Sequence, residues 1–229
     1  MSKKVLSTIP LFSQRCQKSR ELLEKKGYEV IEYQGDTVMT AEEIKAVGSD
    51  ICGAIVGCEV WDEELFKACP NLKALARFGV GVDCIDLAAA KKHGVKVCNA
   101  KGMTCDSVGE ATIMFALASL RNLVGLTITT RQGEWVRYTG STLRGKTYGL
   151  IGFGAIAQYV AKLLQSFGVE NIIAYDVYQN KEAAEKLHVK FVGLEELLKQ
   201  SDLISLHIPA TEDTIGLIGE KELKMMKPS

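Results

Sequence analysis

The sequence predicts an α/β protein built on parallel sheets. Short apolar runs alternate with helical patterns through the first hundred residues, and the same alternation returns near residue 147. A parallel connection between strands requires a crossover, which an intervening helix supplies. The second series also opens with a glycine turn, Gly152 to Gly154, as doubly wound sheets do. We therefore predict two Rossmann-like doubly wound domains, residues 1–99 and 100–229.

The first domain is expected to hold five strands joined by helices. The predicted strands are Lys4 to Ile9, Glu29 to Tyr33, Ala54 to Gly57, Ala74 to Arg77 and Val95 to Cys98. The predicted helices are Arg20 to Lys26, Ala41 to Ala46, Glu63 to Lys67 and Asp86 to His93. Gly27 and Gly94 stand where helices should stop, because glycine readily adopts the left-handed conformation.

A longer apolar helix is predicted from Asp106 to Arg121, with Asp106 or Ser107 as its N-cap. Such an apolar helix should be buried on several sides. It could connect two domains or form a subunit interface, and both remain open. The polar, glycine-bearing stretch Thr130 to Gly145 is predicted to be irregular.

The second domain is predicted to begin with a βαβαβ half. Its expected strands are Thr147 to Ile151, Asn171 to Asp176 and Leu203 to Ile208, and its expected helices are Ala155 to Phe167, Leu194 to Lys199 and Lys221 to Met226. A doubly wound sheet normally continues into a second half, so this domain is expected to be incomplete at its C-terminus.

Composition excludes several classes of function. Lys plus Arg and Asp plus Glu each total 28, so no charge excess points to nucleic acid or an anionic membrane. The N-terminus does not resemble a secretory signal, and no run approaches the roughly 20 apolar residues of a membrane span. The seven cysteines form no CxxC pair, which argues against a disulfide framework or a metal site. We expect a cytoplasmic protein.

The glycine turn carries the strongest functional signal. Gly152 permits a tight turn, Gly154 allows close approach of a diphosphate to the backbone, and Ala157 allows helix and strand to pack closely. The start of the following helix then offers free N–H groups to the anion. Asp176 stands about twenty residues beyond the turn, where a ribose-binding carboxylate belongs. That acid would repel the 2′-phosphate of NADP, so NAD is the predicted cofactor.

A second glycine turn, Gly79-Val80-Gly81, also follows a predicted strand. It lacks the small third residue of a dinucleotide site and a correctly spaced acid. Its backbone N–H groups could form a nest for a small anion such as a carboxylate. A plain turn between strand and helix is an equal alternative.

These features together resemble the D-isomer-specific 2-hydroxyacid dehydrogenases. The likeness runs from about Asn71 to the end and includes Leu72 to Asp86, Asn99 to Glu110, Arg131 to Trp135, Leu143 to Lys146 and Ser201 to Pro209. The resemblance implies a flavodoxin-like substrate domain followed by an incomplete NAD-binding domain. It implies hydride transfer between NAD(H) and a small D-2-hydroxy acid or 2-keto acid, in a homodimer.

The resemblance also implies residue roles. Val80 and Gly81 would donate backbone N–H groups to the substrate carboxylate. The cofactor contacts would come from Gly152, Gly154, Ala155, Ile156, Asp176, His207, Pro209 and Thr214. His207 is expected to form part of the wall of the cofactor site rather than to act as a base. His93 and His188 lie beside predicted helix ends and are expected to be solvated or capping residues.

The family's catalytic Arg, Glu and His match no position of this chain, so we expect a C-terminally truncated form without turnover of its own. The rival hypothesis is a non-catalytic NAD-sensing protein of the same fold. Family members that act on phosphoglycerate tend to carry a basic residue after the third strand, where this chain has Gly57-Cys58-Glu59. A small unphosphorylated acid is therefore the predicted substrate.

Overall fold

The computed structural model describes residues 3–228 and divides between Met103 and Thr104 into two compact units. Each unit has its own parallel sheet and its own apolar core. The predicted α/β class with parallel sheets is confirmed.

The described part of the first unit contains a five-stranded sheet. Its strands are β1 (Lys4–Ser7), β2 (Glu29–Glu32), β3 (Ile51–Val56), β4 (Ala74–Arg77) and β5 (Lys96–Asn99), and its helices are α1 (Phe12–Arg15), α2 (Gln17–Lys25), α3 (Ala41–Gly48), α4 (Glu63–Ala68) and α5 (Leu87–Lys92). The strand order is β2-β1-β3-β4-β5, with every pair parallel. All five strands were predicted, whereas the short helix α1 was not.

Strand β3 reads as a continuous apolar run because it lies between two other strands and is covered on both faces. Ile51 and Val56 at its two ends are fully buried, and Trp61 and Phe66 pack in the same core. Gly27 and Gly94 adopt φ values of 80° and 71° at the ends of α2 and α5, as predicted.

The described part of the second unit contains a four-stranded sheet. Its helices are α6 (Cys105–Leu120), α7 (Leu123–Arg131), α8 (Ala155–Gln165), α9 (Lys181–Lys186), α10 (Leu194–Gln200) and α11 (Glu220–Met225), and its strands are β6 (Thr147–Ile151), β7 (Asn171–Tyr175), β8 (Val189–Phe191) and β9 (Leu203–Leu206). The order β8-β7-β6-β9 corresponds to 3-2-1-4, the order of a doubly wound half.

Three expectations about the second unit were wrong. The βαβαβ prediction missed α9 and β8, so Leu203–Leu206 is the fourth strand, not the third, and it pairs with β6 on the side away from β7. The stretch predicted to be irregular from Thr130 begins inside α7, which continues to Arg131. Neither Asp106 nor Ser107 caps α6: Thr104 is the N-cap, without a side-chain hydrogen bond, because the helix starts one residue earlier than predicted.

Helix α6 was expected to be buried on several sides, and within this chain it buries a single stripe. Gly109, Ile113 and Ala116 are buried, whereas Met114 and Phe115 are 54% and 66% exposed. Within residues 3–228, no single helix is long and apolar enough to cross a membrane. Helices α6 and α7 reach that length and composition only as a pair bent by 66°.

Candidate cofactor-binding site

The site is built at the carboxyl ends of β6, β7 and β9. Strand β6 ends at Ile151, and the chain turns through Gly152, Phe153 and Gly154 before α8 begins at Ala155. Gly152 has φ 89°, and its N–H donates to the carbonyl of Tyr175 over 2.8 Å. A Cβ on Gly152 would lie 2.7 Å from the carbonyl oxygen of His207. Glycine is therefore required at position 152 by conformation and by the close approach of β9.

Gly154 serves a different purpose. It is the N-cap of α8, with φ −75° and ψ −169°, a conformation that any residue can adopt. A Cβ there would meet no described atom within 4 Å. The space in front of Gly154 is open, so its glycine suits close approach of a ligand rather than a packing requirement.

The start of α8 presents free donors. Gln158 is the first helical residue whose N–H is bonded, to the carbonyl of Gly154 over 3.0 Å. The N–H groups of Ala155, Ile156 and Ala157 accordingly have no acceptor within the described chain. The side chain of Ala157 is fully buried, which allows α8 to pack tightly on the sheet. Free N–H groups at a helix start bind an anion such as a diphosphate.

Asp176 follows β7 and holds the turn in place. Its Oδ2 accepts the N–H of Phe153 over 2.6 Å, and its Oδ1 accepts the N–H of Tyr178 over 2.8 Å. A carboxylate has about four lone-pair positions, so both oxygens keep capacity for two hydroxyl donors. The arrangement suits a vicinal diol such as that of a ribose.

His207 begins the segment after β9, and its N–H donates to the carbonyl of Ile151 over 2.7 Å. Its Nε2 is hydrogen-bonded to Oγ of Ser205 over 2.8 Å. Burial lowers the pKa of His207 to about 4. The imidazole is therefore neutral near pH 7, which suits an uncharged wall beside a ligand.

Pro209 and Thr214 lie in the segment that follows. Thr214 Oγ1 donates to the carbonyl of Pro209 over 2.6 Å and accepts the N–H of Thr211 over 2.8 Å. Thr214 therefore stabilises the conformation of residues 209–214 by hydrogen bonds within that segment.

The predicted cofactor residues lie in one unit, and the structure brings Gly152, Asp176 and His207 together around the turn. The sequence did not predict two residues whose hydrogen bonds hold the turn in its conformation. The N–H of Phe153 binds Asp176, and Nε2 of Gln158 donates to the carbonyl of Phe153 over 2.9 Å. No sequence pattern marked either residue, because both roles depend on backbone groups that the fold brings together.

A groove of about 710 Å³ lies along the outer side of α8 and is lined by residues such as Ala155, Tyr159, Lys162 and Ala183. Gly152, Asp176 and His207 do not line it. Of the predicted cofactor residues, Ala155 alone lines this groove, and the donors and acceptors of the turn converge outside it. Across residues 3–228, no three His, Cys, Asp or Glu side chains are grouped to hold a metal ion.

Val80 and Gly81 lie in the first unit, just after β4. Gly79 has φ 152°, a conformation that favours glycine, and its carbonyl accepts the N–H of Ala100 over 2.8 Å. The carbonyl of Val80 accepts Nδ2 of Asn99 over 2.7 Å. The N–H groups of Val80 and Gly81 have no acceptor in the part of the chain that the structure describes. Two consecutive free donors are compatible with the anion nest.

The other two histidines lie at helix ends. His93 is the C-cap of α5, and its Nε2 lies 3.1 Å from Oε1 of Glu63. Lys92 and His93 hydrogen-bond to Glu63 and lower the pKa of that carboxyl to about 2. His188 follows α9 with φ 53°. Neither histidine lies at the cofactor turn.

Comparison with known proteins agrees with this geometry. Residues 113–229 match the family model of the D-isomer specific 2-hydroxyacid dehydrogenase NAD binding domain. Glyoxylate reductase from Thermococcus litoralis is 41% identical over 177 residues, which cover 73% of this chain and 53% of the relative. D-3-phosphoglycerate dehydrogenase from Methanocaldococcus jannaschii is 39% identical over 229 residues, which cover 98% of this chain and 42% of the relative. The chain thus spans about half the length of these curated relatives.

Among solved structures, the NAD⁺-bound 3-phosphoglycerate dehydrogenase of Entamoeba histolytica matches with a TM-score of 0.83 and 28% identity. The match covers 99% of this chain and 69% of that chain. The open space before Gly154, the free N–H groups of α8 and the carboxylate of Asp176 fit a dinucleotide. The matching family model is an NAD binding domain, so NAD is the cofactor of this chain. The chain belongs to the D-isomer specific 2-hydroxyacid dehydrogenase family.

Proposed function

We propose that the protein transfers a hydride between NAD(H) and C2 of a small D-2-hydroxy acid or the corresponding 2-keto acid. The observation that carries this proposal is the geometry of Asp176. Its two oxygens are fixed by the N–H groups of Phe153 and Tyr178, directly beside the free start of α8. A diol receptor next to an anion receptor matches the ribose and diphosphate of NAD.

Each cofactor residue then has a role. Gly152 forms the turn, and Gly154 lets the diphosphate reach the backbone. Ala155 and Ile156 donate their N–H groups to it. Asp176 accepts both ribose hydroxyls and repels a 2′-phosphate, so NAD is favoured over NADP.

His207, Pro209 and Thr214 form the wall of the site. Because burial lowers the pKa of His207 to about 4, its imidazole is uncharged near neutral pH and is a weak proton acceptor. We assign no catalytic acid or base to it. Bound NAD supplies the hydride acceptor, and the proposed residues of this chain bind and orient ligands.

In the first unit, Val80 and Gly81 donate backbone N–H groups to the substrate carboxylate. Residues 1–99 form the substrate domain, and residues 100–229 belong to the NAD-binding domain. The strand order β2-β1-β3-β4-β5 supports a flavodoxin-like substrate domain. Glu59, after β3, would repel a phosphate group, so the substrate is an unphosphorylated acid.

Titration of the purified 229-residue chain with NADH tests the cofactor half of the proposal. A ligand that binds only the folded state raises the melting temperature, so NADH should stabilise the chain in a saturable manner. Asp176→Ala should abolish that shift. Glu170→Ala is the matched control, because Glu170 is an exposed acid at the opposite, amino end of β7 and should leave the shift unchanged.

Cofactor preference separates loss of recognition from loss of structure. The wild-type chain should bind NADH at least about tenfold more tightly than NADPH, a difference of about 1.4 kcal/mol. Asp176→Ala should reduce the preference for NADH over NADPH. A general loss of order in the turn would weaken binding of both dinucleotides and leave their affinity ratio unchanged. A folded wild-type chain that binds neither dinucleotide would contradict the proposal.

We also propose that the protein is a homodimer that uses the exposed face of α6 and α7. Phe115, Val124 and Ile128 are 66%, 70% and 53% exposed, and Trp135 beyond α7 is 92% exposed. Exposed apolar side chains in such numbers mark interaction surfaces. Sedimentation should show a dimer that Val124→Asp converts to a monomer, and a monomeric wild-type chain would refute this assignment.

A further inference from the structure

Strands β6 and β9 are neighbours in the sheet of the second unit, and one face of the pair carries a hydroxyl. Tyr148 pairs with Leu203, and Leu150 pairs with Ser205. Because side chains alternate along a strand, these four residues share a face of the sheet with His207, two residues beyond Ser205. Tyr148, Leu150 and Leu203 pack in the apolar core that also contains residues of α8. Ser205 is therefore a polar residue on an apolar face, just before the predicted wall of the cofactor site.

Ser205 connects two aromatic rings. Its Oγ lies 2.8 Å from Nε2 of His207. The same hydroxyl is a hydrogen-bond partner of the Tyr148 phenol, a residue that is 2% exposed. Burial raises the pKa of Tyr148, and the hydrogen bond with Ser205 opposes this rise only in part, so the phenol keeps its proton near neutral pH. Tyr148, Ser205 and His207 thus form a hydrogen-bond relay from the core to the cofactor wall.

The burial of both rings determines the direction of this relay. Burial lowers the pKa of His207 to about 4, so the imidazole is neutral and carries a single proton on one of its two nitrogens. The buried phenol O–H of Tyr148 needs an acceptor, and within residues 3–228 its partner is Oγ of Ser205. A hydroxyl that accepts from Tyr148 points its own hydrogen at Nε2 of His207. Nε2 is then the acceptor, and the imidazole proton lies on Nδ1.

Nδ1 of His207 is accessible to a ligand. Within residues 3–228, the fully buried side-chain nitrogen and oxygen atoms that lack a hydrogen-bond partner belong to Glu59, Trp61 and Arg77. Nδ1 also has no partner among the described residues, so it is not fully buried. The backbone N–H of His207 donates to the carbonyl of Ile151, directly before the glycine turn. The accessible nitrogen therefore belongs to a residue whose backbone is fixed beside that turn.

We propose that Ser205 is a positioning residue that holds His207 as its Nδ1–H tautomer, so that the imidazole donates a hydrogen bond to an acceptor oxygen of the bound dinucleotide. This inference rests on the proposed function, in which His207 lines the cofactor site. Tyr148 acts through Ser205, because it fixes the direction of the serine hydroxyl. The opposite tautomer would present a lone pair of Nδ1 to the same oxygen and repel it. The tautomer thus determines whether His207 favours or opposes cofactor binding.

Nitrogen NMR of the isotope-labelled 229-residue chain tests the tautomer in the absence of cofactor. The chain has three histidines, and the signals that disappear in His207→Gln identify His207. Near pH 7 the wild type should show a protonated Nδ1 and an unprotonated Nε2. Ser205→Ala removes the donor to Nε2 and should populate the Nε2–H tautomer. Ser205→Thr keeps a hydroxyl at this position and should retain the wild-type tautomer.

NADH affinity, measured by fluorescence titration of the same variants, tests the hydrogen bond to the cofactor. Loss of one net hydrogen bond predicts about threefold to tenfold weaker binding by Ser205→Ala, and Ser205→Thr should recover the affinity. Ser166→Ala is the matched control, because Ser166 is an exposed serine at the C-terminal end of α8, away from the turn. This control should keep both the wild-type tautomer and the wild-type affinity.

An Nε2–H tautomer of His207 in the wild type would overturn the proposal, and so would an unchanged tautomer in folded Ser205→Ala. A changed tautomer with unchanged NADH affinity would show that Nδ1 donates to no cofactor atom and would overturn it as well. The proposed function fails in a different way. A wild-type chain that shows the Nδ1–H tautomer but binds no NADH would contradict cofactor binding itself, and with it the donated hydrogen bond.

Discussion

The two glycine turns of this protein have the same spacing and different surroundings. Gly79 and Gly81 follow β4, and Gly152 and Gly154 follow β6. In the second unit the turn leads at once into α8, an 11-residue helix whose first N–H groups are free. In the first unit the next helix, α5, has 6 residues, starts at Leu87 and is capped by Asp86, whose Oδ1 accepts the N–H of Ala89 over 2.9 Å.

This difference shows that two glycines after a strand do not define a ligand. The β6 turn adds a helix start and an acid that holds it, and in the proposed function these bind a diphosphate and a diol. The β4 turn offers only the two free N–H groups of Val80 and Gly81, which match a single carboxylate. Neighbouring groups, more than the glycines, determine what each turn can bind.

Replacing Gly152 should have the largest effect. Gly152→Ala forces a side chain into φ 89° and sets its Cβ 2.7 Å from the carbonyl of His207, which is backbone and cannot move aside easily. We expect a loss of at least about 3 kcal/mol in the free energy of unfolding, measured by urea denaturation. Gly79→Ala also places a side chain at a positive φ, 152°, but its new Cβ would meet side-chain atoms of Arg77 rather than backbone, so the loss should be smaller. Equal losses would mean that the two turns are packed alike.

The pH dependence of stability tests the contact between the β6 turn and His207. The folded pKa is about 4 against 6.5 for an unperturbed histidine, so the unfolded state binds the proton first. This contribution is complete above about pH 6.5 and is lost as the pH falls toward 4, by at most about 3 kcal/mol. Urea denaturation at several pH values should show a shallower decline for His207→Gln. Identical declines for both proteins would show that His207 is not responsible.

Gly154→Ala separates binding from folding. Because no described atom lies within 4 Å of the new Cβ, stability should stay within about 0.5 kcal/mol of the wild type. The methyl group would stand where the diphosphate approaches, so NADH affinity should fall at least about tenfold, or about 1.4 kcal/mol. Fluorescence titration measures this NADH affinity. Unchanged affinity would mean that the cofactor does not pass this glycine.

Asp86→Ala should produce the smallest effect and only in the first unit. Loss of an N-cap side chain costs about 1 kcal/mol. Hydrogen exchange should show faster opening around α5, while NADH affinity stays at the wild-type value. A change in NADH affinity would mean that the two glycine turns are not independent.

The sequence predicted most of the fold because strand and helix patterns are local. Strands Ala74–Arg77 and Thr147–Ile151 have the predicted bounds. The elements that were not predicted have weak signals in the sequence. Strand β8 has only 3 residues, and α7 contains Thr127, Thr129 and other β-branched residues that disfavour helix. Such segments depend on tertiary contacts for their conformation, and a single sequence does not display those contacts.

The candidate site was predictable to the extent that its chemistry follows spacing. The sequence alone assigns the glycines to the turn and Asp176 to the end of the next strand. The hydrogen bond between Asp176 and Phe153, 23 residues apart, could not, because it depends on the register between β6 and β7. Glu59, after β3, is only 5% exposed, and the sequence did not indicate this burial, since a glutamate after a strand is usually solvated.

The two hydrogen bonds that hold the Asp176 carboxylate also have a consequence for the kinetics of cofactor binding. The carboxylate is already oriented by the N–H groups of Phe153 and Tyr178, so an arriving dinucleotide does not have to immobilise it. Preorganised receptors lose little conformational entropy on binding. Association with the second unit should therefore resemble docking onto a rigid surface, with its rate governed by encounter and orientation, and affinity differences among cofactor analogues should appear mainly in their dissociation rates.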